Sequence, residues 1–453
     1  NGKGESMTFE NKGKENNGAT YGRRSDWQNL YTIAKKYYEA LLADPGNAQF
    51  HLTDPRGASD KSGRTFNNPY QYFFEQMHMD DAIYADESIY EYPMQQGGGN
   101  DGRPYSFGRP SSGGSKAAYP CKSYGQGRIN PAYFYGVFDP NDMRRDVSIT
   151  MTGSNGKGVE KLIPFVPNSK AEGGGLTLNK WDENRQANPW VAAQRKSGIN
   201  GPYMRMSEVY LGYAEVCAAL GDVVTGKQYL KTVRERSFPQ GLANTDAFIA
   251  SFGNDLVRAI IEERGFEYAG EGDRRWTLIR SGYLPEDIKR IKDMTKAMMD
   301  GLATKGYYEF ENGNIISAYI WTKLVDAKTI YGHRLTAQCP MDKVNDPVLY
   351  PGWRGQKDNW EEMGLNYGSS TPATNLAIKG LFEIVSEEEA ASLESQGYTK
   401  VNWGIDLVDN RDEYDKYLFW DYDYVSAPIY LWPFTPNVMA AGGFTNGYGF
   451  KQE

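Results

Sequence analysis

The sequence predicts a mainly α chain in which helical hairpins, repeat-like in size, are interrupted by large irregular loops and a few short strands. Amphipathic segments with helical spacing and clear stops occur at 26–45 and from 203 to 282, whereas 67–200 and 306–375 hold no sustained periodicity. Gly and Pro number 50 and 22, too many for regular helix throughout. Tyr, Phe and Trp number 33, 19 and 10, a load weighted to the aromatic side chain that favours half-wet surfaces.

The first helix is predicted over DWQNLYTIAKKYYEALLADP. Asp26 is a candidate N-cap, Leu30, Ile33, Ala34, Tyr37, Tyr38 and Leu41 keep helical intervals, and Pro45 stops the run. Its Ala34, Tyr38, Leu41 and Pro45 are spaced as in the second helix of a tetratricopeptide repeat. Across 67–200, Gly-rich stretches at 97–102, 112–114 and 173–175 separate aromatic residues, the composition of functional loops, with a short strand at Ser88–Tyr92. From Tyr203, Met206, Val209, Tyr210, Tyr213, Ala214, Cys217 and Leu220 line one helix face up to a stop at Gly221. A helix over about 224–235 completes a hairpin, and a third follows Asn254 or Asp255 through LVRAIIEERGFEYAG. RRWTLIRSG then gives a short helix ending near Gly282, and Glu387–Gln396 another, while 420–436 reads as extended. One domain over 1–453 is expected: 1–55 as the end of a repeat-helix region, 56–200 as a loop-rich ligand-binding segment, 201–285 as repeat-like helices, 286–453 as a loop-rich C-terminal part.

Charge and rare residues remove several function classes. Fifty Lys and Arg against 58 Asp and Glu leave a net charge of -8, with the cations scattered, so the footprint for binding nucleic acid is missing. Mean hydropathy is -0.66 and no 18-residue apolar run occurs, which excludes a transmembrane helix. Cys121, Cys217 and Cys339 are odd in number and far apart, giving neither a disulfide framework nor a zinc site; Cys217 reads as a buried thiol. His51, His78 and His333 are isolated, so neither a metal cluster nor a histidine triad is expected, and no cofactor. GQG at 125–127 and GEG at 270–272 read as turns.

Carboxylate pairs remain as candidates for acid–base work. Glu262 with Glu263 and Glu267 with Glu271 lie among Arg258, Arg264, Arg274 and Arg275. Glu271 stands four residues before Arg275 and Arg264 three before Glu267, so structural ion pairing along the helix is the expectation. Asp421 and Asp423 alternate with Tyr422 and Tyr424 on one face of a strand, either as solvated charges, as a weak calcium site or as an unrecognised glycosidase pair. Ligand chemistry falls to the loop aromatics. Tyr105, Phe107, Tyr119, Tyr124, Trp181 and Trp190 stand among Gly, Asn, Ser and Arg, where a ring stacks on a sugar face or a peptide side chain; the alternative is that such rings bury themselves and hold the loops down.

Three ordered motifs resemble the SusD/RagB family of outer-membrane nutrient-binding lipoproteins that work with TonB-dependent transporters. They are GINGPYMRMSEVYLGYAEVCAALGD at 198–222, IIEERGFEYAGEGDRRWTLIRSG at 260–282, and PIYLWPFTPNVMAAGGFTNGYGF at 428–450. The resemblance implies a tetratricopeptide-like scaffold, no catalysis, and capture of oligosaccharide, or alternatively oligopeptide, at the outer face of the outer membrane for a SusC-like transporter. It implies that Glu263, Arg264, Glu267, Glu271, Arg275 and Trp276 belong to a structural motif. The family opens with a lipoprotein signal and an acylated Cys; here the first Cys is Cys121, so the anchor and the first repeat helices are expected to precede this sequence. The closing AGGFTNGYG departs from the usual run before its Tyr, which concerns local wrapping.

Overall fold

The computed structural model describes residues 9–14, 20–48, 58–59, 65–66, 69–77, 85–98, 103–110, 123–154, 160–166, 174–182, 195–326, 374–412 and 434–443. Its helices include α1 Trp27–Ala43, α2 Pro69–Gln76, α3 Arg103–Phe107, α4 Arg144–Ser148, α5 Met206–Ala219, α6 Val223–Glu235, α7 Thr245–Ala250, α8 Leu256–Glu267, α9 Asp273–Ser281 and α10 Leu284–Lys305. A π-helical turn, Tyr133–Val137, precedes α4.

The repeat-like helices stack as their patterns require. Tyr31, Ala34, Tyr38, Leu41 and Leu42 of α1 pack on α5, which in turn packs on α6 and α8. Asp222 caps α6 through the Thr225 amide at 3.2 Å, and Asp255 caps α8 through the Arg258 amide at 2.9 Å. Gly221 and Gly282 take left-handed backbone where α5 and α9 stop. Asp26 precedes α1 without capping it; its carboxylate instead takes the Arg24 guanidinium at 2.7 and 2.8 Å. Cys217 is fully buried.

Two expectations change. The segment from Tyr203 does not begin as helix: Gly201–Arg205 is a strand paired antiparallel with Ser88–Tyr92, and α5 starts at Met206. Nor is the chain after 286 loop-rich from its start. The 22-residue α10 enters with Pro285 in its first turn and buries Thr295, Met298, Met299 and Leu302 as a narrow stripe that its many Lys and Asp residues obscure in the sequence. A hairpin (Tyr307–Glu309 with Ile315–Ser317) follows, then a three-stranded antiparallel sheet in which Tyr319–Asp326 lies between Thr374–Lys379 and Thr399–Asn402. The Glu387–Ser395 helix does form, closed by a Ser386–Glu389 capping box.

The main core joins these halves. Phe134, Tyr135 and Phe138 of the π-turn region meet Phe266, Met298, Met299, Leu302, Ile316, Ile320, Ile378 and Trp403. Fully buried Trp403 donates its indole N–H to Tyr135 Oη at 2.9 Å, so neither polar atom is stranded. Among the described residues no helix is long and apolar enough to cross a membrane.

Candidate functional site

A set of charged side chains is buried inside this protein. From Arg258 to Glu267 every residue of α8 is buried, and its carboxylates bind guanidinium groups from other elements. Glu267 lies 2.5 Å from Arg205 and from Arg236 and 3.1 Å from Arg144. Glu263 bonds Arg234 at 2.9 Å and has Arg144 at 2.7 Å as an ion contact without hydrogen-bond alignment. Burial alone would raise the Glu267 pKa, but Arg236, Arg205 and Arg144 overcome it and hold the group far below the usual carboxylate range. Glu271 is held by Lys180 at 2.7 Å and Arg205 at 3.0 Å. Desolvation pulls the Lys180 ammonium down to about 8 despite the opposing pull of Glu271. Arg264 turns to Glu208 at 2.6 Å and Asp273 at 2.7 Å.

The structural ion pairing expected at α8 is therefore present, but apart from an Arg258–Glu262 contact at 3.9 Å the described pairs run to other elements rather than along the helix. A helix buried all round points most of its charges at whichever element covers each face, so i,i+3 and i,i+4 spacing predicts few of its pairs. The described geometry places Glu263, Arg264, Glu267 and Glu271 in this network, with Arg275 half-buried on α9 and Trp276 exposed beside it.

The network ends at the strand pair and fixes it. Arg205, the last residue of Gly201–Arg205, also bonds Glu87 at 3.0 Å, and Glu87 precedes the Ser88–Tyr92 strand. Glu91, the inward residue of that strand, accepts from the Ala85 amide at 2.7 Å, from Asn200 Nδ2 at 2.9 Å and from the Ser88 hydroxyl. Strand alternation then turns Tyr90 and Tyr92 outward, 54% and 53% exposed. The pairing skips Tyr203, a β-bulge that leaves this ring 71% exposed and sets it edge-on to Tyr90 at 5.5 Å. Tyr92 lies opposite Gly201, where a Cβ would collide with Arg103 Nη1; the missing side chain lets the Arg103 guanidinium reach over the Tyr92 ring at 5.5 Å.

The surface continues through α3. Tyr105, two residues after Arg103, meets Tyr124 edge-on at 5.0 Å and carries Arg195 over its ring at 4.3 Å; both rings are half-buried. Phe107 is 45% exposed. Trp181 does not fit the expected role of an exposed platform: it is 3% exposed, packed with the Tyr70, Phe73 and Phe74 cluster, and its backbone carbonyl accepts from the Arg109 amide at 2.7 Å. Tyr119 and Trp190 lie outside the described residues, as do Cys121, Cys339, all three histidines, Asp421 and Asp423.

Sequence reasoning passed over Tyr90, Tyr92, Tyr203 and Arg103. SIYEY carried the signal for the first two, an acid between two tyrosines in a strand, whereas the bulge at Tyr203 and the gap at Gly201 exist only once the strands pair. Among the described residues no group of three His, Cys, Asp or Glu side chains could hold a metal ion.

The sequence model of the SusD family matches residues 48–433. A SusD-like protein of Formosa agariphila is 28% identical over 160 residues, 35% of this chain and 26% of that protein. A solved SusD homolog from Bacteroides thetaiotaomicron aligns with 16% identity and a TM-score of 0.39, covering 61% of this chain and 56% of the other. Surface glycan-binding protein A from Bacteroides uniformis aligns with 19% identity and a TM-score of 0.38, covering 57% and 47%. The match thus spans about a quarter of the curated relative and about half the length of these structures.

Proposed function

The chain belongs to the SusD family, and from that premise we propose that it captures oligosaccharide on its Tyr90, Tyr92 and Tyr203 face and passes it to a TonB-dependent transporter, without catalysis. The observation that carries this is three exposed tyrosines on a strand pair braced from below by buried ion pairs. Exposed rings of this kind are costly to leave in water and offer flat apolar faces for sugar C–H groups, while phenol and guanidinium edges serve hydroxyls. Placement at the outer face of the outer membrane, through a lipid anchor, and partnership with a SusC-like transporter belong to the same proposal. The paired carboxylates of α8 are bound by guanidinium groups inside the protein, which suits bracing rather than acid–base chemistry.

Affinity electrophoresis through gels containing different polysaccharides tests the reading. Retardation by at least one glycan, abolished in a folded Tyr90→Ala/Tyr203→Ala variant, is expected, with no reducing ends released. Retardation that survives the double substitution would remove the face from the account. Bound peptides found by mass spectrometry, with no retardation by any glycan, would replace oligosaccharide with oligopeptide as the cargo.

A further inference from the structure

The tyrosine face carries cations. Arg103 lies over Tyr92, Arg195 over Tyr105, and Lys196 beside them reaches the Gly97 carbonyl at 3.4 Å. The one carboxylate within the two strands, Glu91, is buried beneath the face and accepts three hydrogen bonds there. No carboxylate among the described residues forms an ion pair with Arg195 or Lys196. On a chain of net charge -8, cations gathered over an exposed and a half-buried tyrosine run against the background.

Arg195 is also held in an unfavourable conformation. Its φ is +59°, and the other described non-glycine residues with positive φ, Asn244 and Asn254, are of the type that tolerates the left-handed region. A long cationic side chain in that region persists only when the surroundings hold it, and such strain gathers at ligand sites. Here it sets the guanidinium of an exposed arginine over the Tyr105 ring, its central carbon 4.3 Å from the ring centre. A guanidinium held over a ring has part of its freedom restricted in advance, and its paired donors match a carboxylate or a sulfate.

We infer that this face selects anionic oligosaccharides, sugars bearing carboxylate or sulfate, with Arg195 and Arg103 engaging the acidic group while the tyrosines stack on the rings. The inference rests on the glycan-capture reading above. Affinity gels with dextran and xylan as neutral polysaccharides, polygalacturonate as the carboxylated one and carrageenan as the sulfated one separate the two. The wild-type protein is retarded by polygalacturonate or carrageenan and not by the neutral pair, and 0.5 M NaCl weakens the retardation. Whichever acidic gel retards it tells carboxylate from sulfate. Arg195→Asn keeps a residue suited to the left-handed backbone and removes the charge; it weakens binding to the retained polymer by on the order of ten-fold or more, the size of a lost charge-assisted contact. Arg103→Gln, made separately, shows the same direction if Arg195→Asn fails to fold. Retardation by dextran or xylan alone, or an undiminished affinity in both folded variants, overturns the inference while leaving glycan capture standing. Absence of retardation in all four gels counts against both.

Discussion

The interior of α8 and the surface of the strand pair reverse the usual distribution of residues. Arg258 to Glu267 places five charged side chains out of water, whereas Tyr90, Tyr92 and Tyr203 stand in it. The two regions are one construction. Arg205 begins in the strand pair and ends on Glu267 and Glu271, so the charges that could not be left unpaired in the core are what hold the rings in place at the surface. Buried ion pairs gain little over a well-packed apolar core, yet removing one partner is severe because it strands the other. Such a network suits a scaffold that must keep one geometry under a face exposed to ligand.

The largest effect should come from breaking the network at its centre. Glu267→Ala removes the carboxylate that Arg205, Arg236 and Arg144 share, leaves a surplus of buried positive charge on their remaining partners, and should cost about 3–5 kcal/mol in urea unfolding; a loss under about 1 kcal/mol would show that the network does not carry the scaffold. Lys180 offers a pH test with a definite sign. Its folded pKa of about 8 lies below the unfolded value of 10.5, so between those values the unfolded chain binds more protons and the contribution of Lys180 to stability rises with pH, by about 2 kcal/mol from pH 8 to 10. Phenols raised by burial, Tyr70 and Tyr268 among them, pull the other way as pH approaches 10, because the unfolded phenols ionise first. The Lys180 contribution is therefore read as the difference between wild type and Lys180→Met, and a difference that stays constant from pH 8 to 10 would contradict it.

Substitutions at the face should act on binding and spare the fold. Gly201→Ala drives a Cβ into Arg103 and should lower glycan affinity by about ten-fold, equivalent to about 1.4 kcal/mol, with Tm close to wild type. Tyr203→Ala removes a ring that is mostly in water and should change stability by less than about 0.5 kcal/mol while weakening binding. A large loss of stability from Tyr203→Ala would mean that the ring is part of the scaffold after all.

How far the sequence revealed this depended on whether a feature was local. Asp222, Asp255, Gly221 and Gly282 declare helix ends within a few residues, and α5, α6, α8 and α9 follow within one turn of where their spacing puts them. The long α10 was hidden because its buried stripe is narrow. At the candidate site, Phe107, Tyr105 and Tyr124 could be picked out as loop aromatics, but burial decides which ring is exposed, and it sent Trp181 to the core. Partner choice is also non-local: Glu267 lies 62 residues from Arg205 and 123 from Arg144, distances at which spacing along a helix has nothing to say.

Hydrogen–deuterium exchange of the protein with and without an oligosaccharide cut from the retained polysaccharide tests the central claim most directly. Added protection confined to 88–98, 103–107 and 195–205, with α8 and α10 unchanged, is the predicted result. Protection that instead appeared on the sheet around Tyr319–Asp326 or along α6 and α7, leaving the tyrosine face untouched, would contradict it.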